Sequence, residues 1–318
     1  DGIINALDTD SDGDGSDDDD ETTAGTDPYD EDSDNDGLLD GAEINGTTNP
    51  LDADTDDDGL SDGAEESGPT DANTFDHDQD GLGDGLEVGV IAPIPGGTSA
   101  SGIDYEGTDT PFQVDTDPTS TTNPIVADSD NDNVDDGDED VDGDGAYDGN
   151  LAGTANDETD PNDADSDDDT YNDGAEGGAG ASAPDVDQDD IIDALDDDSD
   201  NDGLTDDVED IHGTDKTVAD TDGDGLTDAE EINTTETNPL DADTDDDGLN
   251  DGAEDAGGIT DPLKFDSDAD GLGDGLETGV TQGVANGTSA GGVDFSGTDG
   301  IFQGDDDAKT TTLPNDDD

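Results

Sequence analysis

One twelve-residue pattern recurs along this chain and limits what it can fold into. Residues 32–43 read DSDNDGLLDGAE, with carboxylates at positions 1, 3, 5, 9 and 12 and glycine at position 6. Like charges gathered this closely repel, so a folded form needs something positive among them. The spacing is that of a D-x-[DN]-x-[DN]-G-x5-E loop. In such a loop the side chains at 1, 3 and 5, the carbonyl of residue 7 and both oxygens of the acid at 12 converge on Ca²⁺, and glycine at 6 permits the tight turn.

Eight stretches fit the pattern in full. With the position 7 carbonyl included where that residue is apolar, the expected ligands are these. The first loop supplies Asp10, Asp12, Asp14, Asp18 and Glu21, and the second Asp32, Asp34, Asp36, Leu38, Asp40 and Glu43. The third supplies Asp54, Asp56, Asp58, Leu60, Asp62 and Glu65, and the fourth Asp76, Asp78, Asp80, Leu82, Asp84 and Glu87. A later run brings Asp198, Asp200, Asp202, Leu204, Asp206 and Glu209, then Asp220, Asp222, Asp224, Leu226, Asp228 and Glu231. It closes with Asp243, Asp245, Asp247, Leu249, Asp251 and Glu254, then Asp266, Asp268, Asp270, Leu272, Asp274 and Glu277.

Two more loops keep all five acids but replace the glycine. Asp128, Asp130, Asp132, Val134, Asp136 and Glu139 surround Asn133; Asp165, Asp167, Asp169, Tyr171, Asp173 and Glu176 surround Thr170. Asn tolerates the turn better than Thr, so the second is expected to be distorted. Residues 185–196 and the loop opened by Asp140, through Asp142, Asp144 and Asp148, are weaker: the first ends in Asp196 and the second has no acid at position 12. Extra acids stand two residues ahead of several loops, at Asp8, Asp30, Asp52, Asp163, Asp196 and Asp241. They read as spare solvated charge, as ligands of a second ion, or as acids that let the register slip. The expected load is about ten or more Ca²⁺.

Composition agrees with this and excludes alternatives. Lys and Arg total 3 against 102 Asp and Glu, a formal charge of −99, which repels nucleic acid and anionic membranes. There is no Cys, so no disulfide or thiolate site exists. His77 and His212 are too few for a zinc or copper centre. No apolar run approaches a membrane span. Nothing marks a catalytic carboxylate pair, a phosphate loop or a nucleophile elbow, so an enzyme is not expected.

The best runs place loop starts 22 residues apart. Ten residues between loops are too few for the flanking helices of paired EF-hands, and the apolar residue falls at position 7 rather than 8. The position 7 leucines can form only a thin seam, so ions are expected to supply much of the folding free energy. The stretches DTDGDGLTDAEE (220–231), TNPLDADTDDDGLNDGAE (237–254) and DSDNDGLTDDVE (198–209) resemble the thrombospondin type 3 repeat in its cysteine-free bacterial form. The resemblance covers most of the chain. It implies a chain wound around calcium with little regular secondary structure, in an extracellular setting. A dockerin has only two such repeats and needs recognition helices.

The fold class expected is therefore a mostly irregular, calcium-stabilised tandem-repeat rod with short helical turns, small β-rich inserts and little core. Residues 1–87 carry calcium loops, 88–127 a Gly/Thr/Ser-rich insert, and 128–277 further loops with the long repeat restarting near 198. Residues 278–318 hold a second copy of the insert and the start of another loop. GIDYEG and GVDFSG in the two inserts alternate like short strands. Joining the last residues to the first completes a loop in register, with Asn315, Asp317, Asp1, Gly2 and Asp8 in the expected places. Two readings follow: a window of a longer tandem polypeptide, or subunits meeting end to end in a fibre. Asn45, Asn233 and Asn286 head sequons that permit N-glycosylation. The function expected is an extracellular structural rod or fibre subunit. A calcium-dependent adhesin recognising surface glycans or another partner through the inserts, and a disordered calcium buffer or mineral-binding polyanion, are the alternatives.

Overall fold

The structure, a computed structural model, describes residues 9–150, 156–180, 182–298 and 300. Asp1, Gly2, Asp8, Asn315 and Asp317, which would form the end-to-end loop, lie outside them. The chain divides into two compact units: Asp1–Ser166 with Asn172–Ala183, and Asp167–Tyr171 with Pro184–Asp318. That division crosses the loop of residues 165–176.

Most of the described chain is turn and bend, with short helices and two small antiparallel sheets. The first unit carries α1 (Asp18–Ala24), α2 (Asp40–Asn45), α3 (Asp62–Glu66), α4 (Asp84–Glu87), α5 (Asp136–Glu139) and α6 (Asp173–Glu176). The second carries α7 (Asp206–His212), α8 (Asp228–Glu230, continued by a π turn), α9 (Asp251–Gly257) and α10 (Asp274–Thr278). Every one of these helices starts on the position 9 acid of its loop and carries the position 12 glutamate in or just after its first turn. Acids crowd a helix N-terminus, where the helix dipole favours them.

Left-handed backbone occurs at two places in each loop. Position 6 was expected, and Gly37 sits at φ +100°. Thr170 takes the same region at +90°, so the loop keeps its local turn at a strain of about 1–3 kcal/mol rather than distorting. Position 4 is the second: Asn35, Asp57, Asn201 and Asp246 all have φ between 56° and 68°.

The apolar seam is uneven. Leu82, Leu204 and Leu226 are buried, Leu38, Leu60 and Leu249 are half-buried, and Leu272 is exposed. Small side chains such as Ala53, Ala194 and Ala242 join them, while most other buried side chains are carboxylates.

Each insert forms a two-strand hairpin. In the first, β1 (Gly97–Thr98) pairs with β2 (Asp104–Tyr105), Gly97 opposite Tyr105. In the second, β3 (Gly287–Thr288) pairs with β4 (Asp294–Phe295), Gly287 opposite Phe295. The strand expected from GIDYEG and GVDFSG is present, two residues long. Beyond it the insert seats on the third loop of its run. The Glu106 amide donates to the Leu51 carbonyl (2.8 Å) and the Thr108 hydroxyl donates to Asp54. The Ser296 amide donates to Leu240 (2.8 Å) and the Thr298 hydroxyl to Asp243. The identical stretch NPLDADTDDDGL at 49–60 and 238–249 is thus the seat of both inserts.

Candidate metal centre

Within a loop, the position 5 carboxylate folds back on the backbone. Asp36 Oδ1 accepts the Leu38 amide at 2.6 Å and Asp224 Oδ1 the Leu226 amide at 2.8 Å. Its other oxygen reaches the next helix: Asp36 Oδ2 accepts the Gly63 amide (2.8 Å), Asp224 Oδ2 that of Gly252 (2.7 Å) and Asp247 Oδ2 that of Gly275 (2.8 Å). Successive loops are stapled about one repeat apart by this bond.

Close stacking on the preceding loop explains a glycine that helix propensity does not. Position 10 lies inside the helix, yet in seven of the ten loops it is glycine, namely Gly41, Gly63, Gly85, Gly137, Gly174, Gly252 and Gly275; Asp19, Asp207 and Ala229 take it in the others, and the Ala229 amide still makes the staple, to Asp202 Oδ2 at 2.8 Å. A Cβ at Gly63 would stand 2.7 Å from the Asp36 carbonyl oxygen, and one at Gly252 2.6 Å from that of Asp224. Gly→Ala in a helix interior ordinarily stabilises by about 1 kcal/mol. Here Gly63→Ala is expected to destabilise by about 1–3 kcal/mol from overpacking, read as a lower thermal midpoint of the calcium-loaded protein; a rise would contradict the close approach of the Asp36 carbonyl.

The position 9 acids, expected as ligands, are held by position 2 of their own loop. Asp40 accepts the Ser33 amide (2.8 Å) and hydroxyl (2.7 Å), one on each oxygen. Thr55 binds Asp62 in the same way (2.8 and 2.6 Å), and Thr221 binds Asp228 (3.0 and 2.6 Å). Ser or Thr at position 2 is therefore part of the pattern and was legible in the sequence. So latched, the position 9 acid faces the preceding loop: oxygens of Asp58, Glu65 and Asp84 lie within 4.8 Å of one another and all three residues are buried. A second kind of cluster sits at positions 1, 3 and 5, as in Asp10, Asp12 and Asp14, Asp32, Asp34 and Asp36, Asp54, Asp56 and Asp58, and Asp76, Asp78 and Asp80.

The position 12 glutamates carry the strongest electrostatic evidence. Both oxygens of Glu21 and Glu43 are buried and make no hydrogen bond, while Thr70 and Thr260 offset the burial of Glu65 and Glu254 only in part. Burial, then Asp34 and Asp36, pushes Glu43 up to about 9. Burial with Asp56 and Asp58 does the same to Glu65, and burial with Asp12, Asp14 and Asp40 raises Glu21 to about 8. Burying carboxylates side by side without partners is strongly unfavourable. The donor set is all oxygen and anionic, so the residues fit a hard divalent cation. Of the acids ahead of the loops, Asp52 and Asp196 are each raised to about 6, chiefly by burial. Asp8 is outside the described residues.

Two features escaped the pattern. Glu158, buried, receives the Asp142 and Asp148 amides at 3.3 and 3.1 Å, bringing an acid to the loop that lacks one at position 12. At the degenerate loop 185–196, Lys216 Nζ lies 3.0 Å from buried Asp206 and 3.8 Å above the Tyr171 ring, and its charge also lowers Asp193 against the burial that raises it. Lys216→Met is expected to weaken this segment by about 1–3 kcal/mol, less than for a fully buried pair because the lysine is partly exposed. Faster hydrogen exchange in residues 186–206 is the measurement, and unchanged exchange would remove the lysine from the account.

Residues 32–53, 198–215, 220–242 and 243–264 match the family described as the bacterial TSP3 repeat. That family is a structural, calcium-binding repeat and not an enzyme family, and its proteins are typically extracellular. No curated protein and no solved structure matches the chain. Among the described residues no helix is long and apolar enough to cross a membrane.

Proposed function

We propose that this chain, which carries bacterial TSP3 repeats at four stretches, is an extracellular structural segment folded and stiffened by calcium, serving as a surface rod, spacer or fibre subunit. The observation that carries the reading is the burial of the position 12 glutamates beside buried aspartates, with both carboxylate oxygens of Glu21 and Glu43 lacking a hydrogen bond. Positions 1, 3 and 5 with the position 7 carbonyl and the position 12 acid would hold one ion. Positions 5 and 12 with the next loop's position 9 would hold another. Bound calcium supplies the positive charge that allows these carboxylates to be buried together.

The chain's own residues do the rest. Position 6 turns the loop, position 2 latches position 9, and position 5 staples each loop to the next helix, so order in one repeat favours order in its neighbour. Sites with Kd of about 10⁻⁴–10⁻³ M, usual for extracellular modules, fill outside a cell and stay empty in the cytosol, which makes folding depend on location. Calcium titration of the whole chain by native mass spectrometry, with Mg²⁺ at equal ionic strength as the comparison, tests this. About ten or more calcium ions are expected, held in preference to magnesium. Equal loading by both ions would overturn calcium as the folding ligand.

A further inference from the structure

We propose that Asp115, which lies outside every twelve-residue loop, anchors an additional divalent-cation site that ties the first insert to Asp144 in the turn opened by Asp140. Asp115 lies in the stretch QVDTDPTST of the insert. It is only 3% exposed, and beyond the Asp117 amide of its own turn neither carboxylate oxygen has a hydrogen-bond partner.

The carboxylate is aimed at the Asp140 turn. Gly145, at φ +78°, leaves it room: a Cβ there would stand 2.8 Å from Asp115 Oδ1 and 3.0 Å from Leu86 Cδ1. The neighbouring Thr116 fixes the approach, its amide donating to the Asp144 carbonyl (2.8 Å) and its hydroxyl to Asp144 Oδ2 (3.0 Å). On the other side the Asp115 amide donates to the Val90 carbonyl at 3.1 Å. Burial raises the Asp115 pKa, the Asp117 amide lowers it, and the Asp117 and Asp144 charges raise it again. Asp117 itself is exposed and bound by Thr119.

A buried carboxylate facing another acid needs a proton, a basic side chain or a metal ion. The lysine ion pairs among the described residues are Lys216–Asp206 and Lys264–Asp261, so neither of those lysines pairs with Asp115. Donors at the site are carboxylate oxygens with no nitrogen or sulfur, which selects a hard cation of the Ca²⁺ class. With Asp115 and Asp144 as its protein ligands and water completing the shell, the site belongs at the weak end, with Kd on the order of 10⁻³ M. The second insert keeps the pattern in sequence: Gln303, Asp305 and Asp307 stand 190 residues after Gln113, Asp115 and Asp117, although the residues between them change. The insert is thereby held at two edges, by Thr108 on the third loop and by an ion on the Asp140 turn.

This inference rests on the calcium reading, and the test separates the two. Native mass spectrometry of the full chain at millimolar Ca²⁺ is compared between the wild type and Asp115→Asn. The expected result is one ion fewer in the variant, with faster hydrogen exchange at residues 113–117 in calcium. If Asp115 holds no ion, removing its buried charge leaves the count unchanged and exchange equal or slower, and the proposal falls. Wild-type exchange gives a second measurement that needs no variant. Protection of residues 113–117 is expected to rise at a higher calcium concentration than that of the loops. Protection that rises together with the loops, or that ignores calcium, overturns the site. A wild type that binds no calcium overturns the calcium reading itself.

Discussion

Stripping calcium from this protein is expected to expand it to a radius of gyration of about 60 Å, the value for an unfolded chain of its length. The loaded protein should scatter as a much smaller or stiffer particle, and small-angle scattering across a calcium titration measures the change. Its size follows from what is buried. In an ordinary domain apolar surface opposes the chain entropy of about 1–2 kcal/mol per residue. Here the buried apolar set is mostly Leu and Ala, and the remaining interior is dominated by acids such as Glu43, Asp58, Glu65 and Asp84. Without counter-charge those acids repel within a chain of formal charge −99. Magnesium is a poor substitute, because it demands near-octahedral geometry and gives up water reluctantly. A chain that keeps the same scattering profile through chelation would show that hydrogen bonds and the leucine seam suffice, and the calcium account would fail.

How much of this was legible beforehand depends on the range of the interaction. Positions 1, 3, 5, 6 and 12 could be read because a single loop defines them, and Asp32, Asp34 and Asp36 do come together. The latch from Ser33 to Asp40 is also local, and a Ser or Thr recurring at position 2 was a usable sign. The role of Gly63 was not accessible. Its reason is the carbonyl of Asp36 in the preceding loop, and twelve residues contain no information about how two loops stack. The same limit hid the partner of Asp84, which joins Asp58 and Glu65 of the loop before it. The identity of NPLDADTDDDGL between the two runs was visible, but its reason is a contact from Glu106 and Thr108, more than fifty residues away. Leu272 shows the converse: the pattern makes it equivalent to Leu204, yet it is exposed where Leu204 is buried, because burial depends on which neighbours cover each repeat.

Acid should act in opposite directions on the metal-free and the calcium-loaded protein. In the metal-free fold Glu43, Glu65 and Glu254 are each raised to about 9, burial being the largest cause. Asp58 is raised to about 8, also chiefly by burial. A carboxyl whose folded pKa lies above its unfolded value near 4.5 binds its proton more tightly when folded. It therefore favours the fold fully below the unfolded pKa and loses that contribution as pH rises through the folded one. Metal-free protein, exhaustively dialysed, is thus expected to be expanded at pH 9 and to become more compact as pH falls towards 4.5. With saturating calcium the sign reverses, since protons compete with the ion for the same oxygens, and acidification should release calcium and loosen the chain. Scattering profiles at pH 5 and pH 9, with and without calcium, should therefore cross. If the metal-free chain is equally expanded at both values, the glutamates are not buried together before the ion arrives, and folding then follows binding at each loop. If it compacts in acid, the protein can form its carboxylate interior whenever the charge is removed, and calcium acts as one of two ways to neutralise a fold already encoded by the latches and staples.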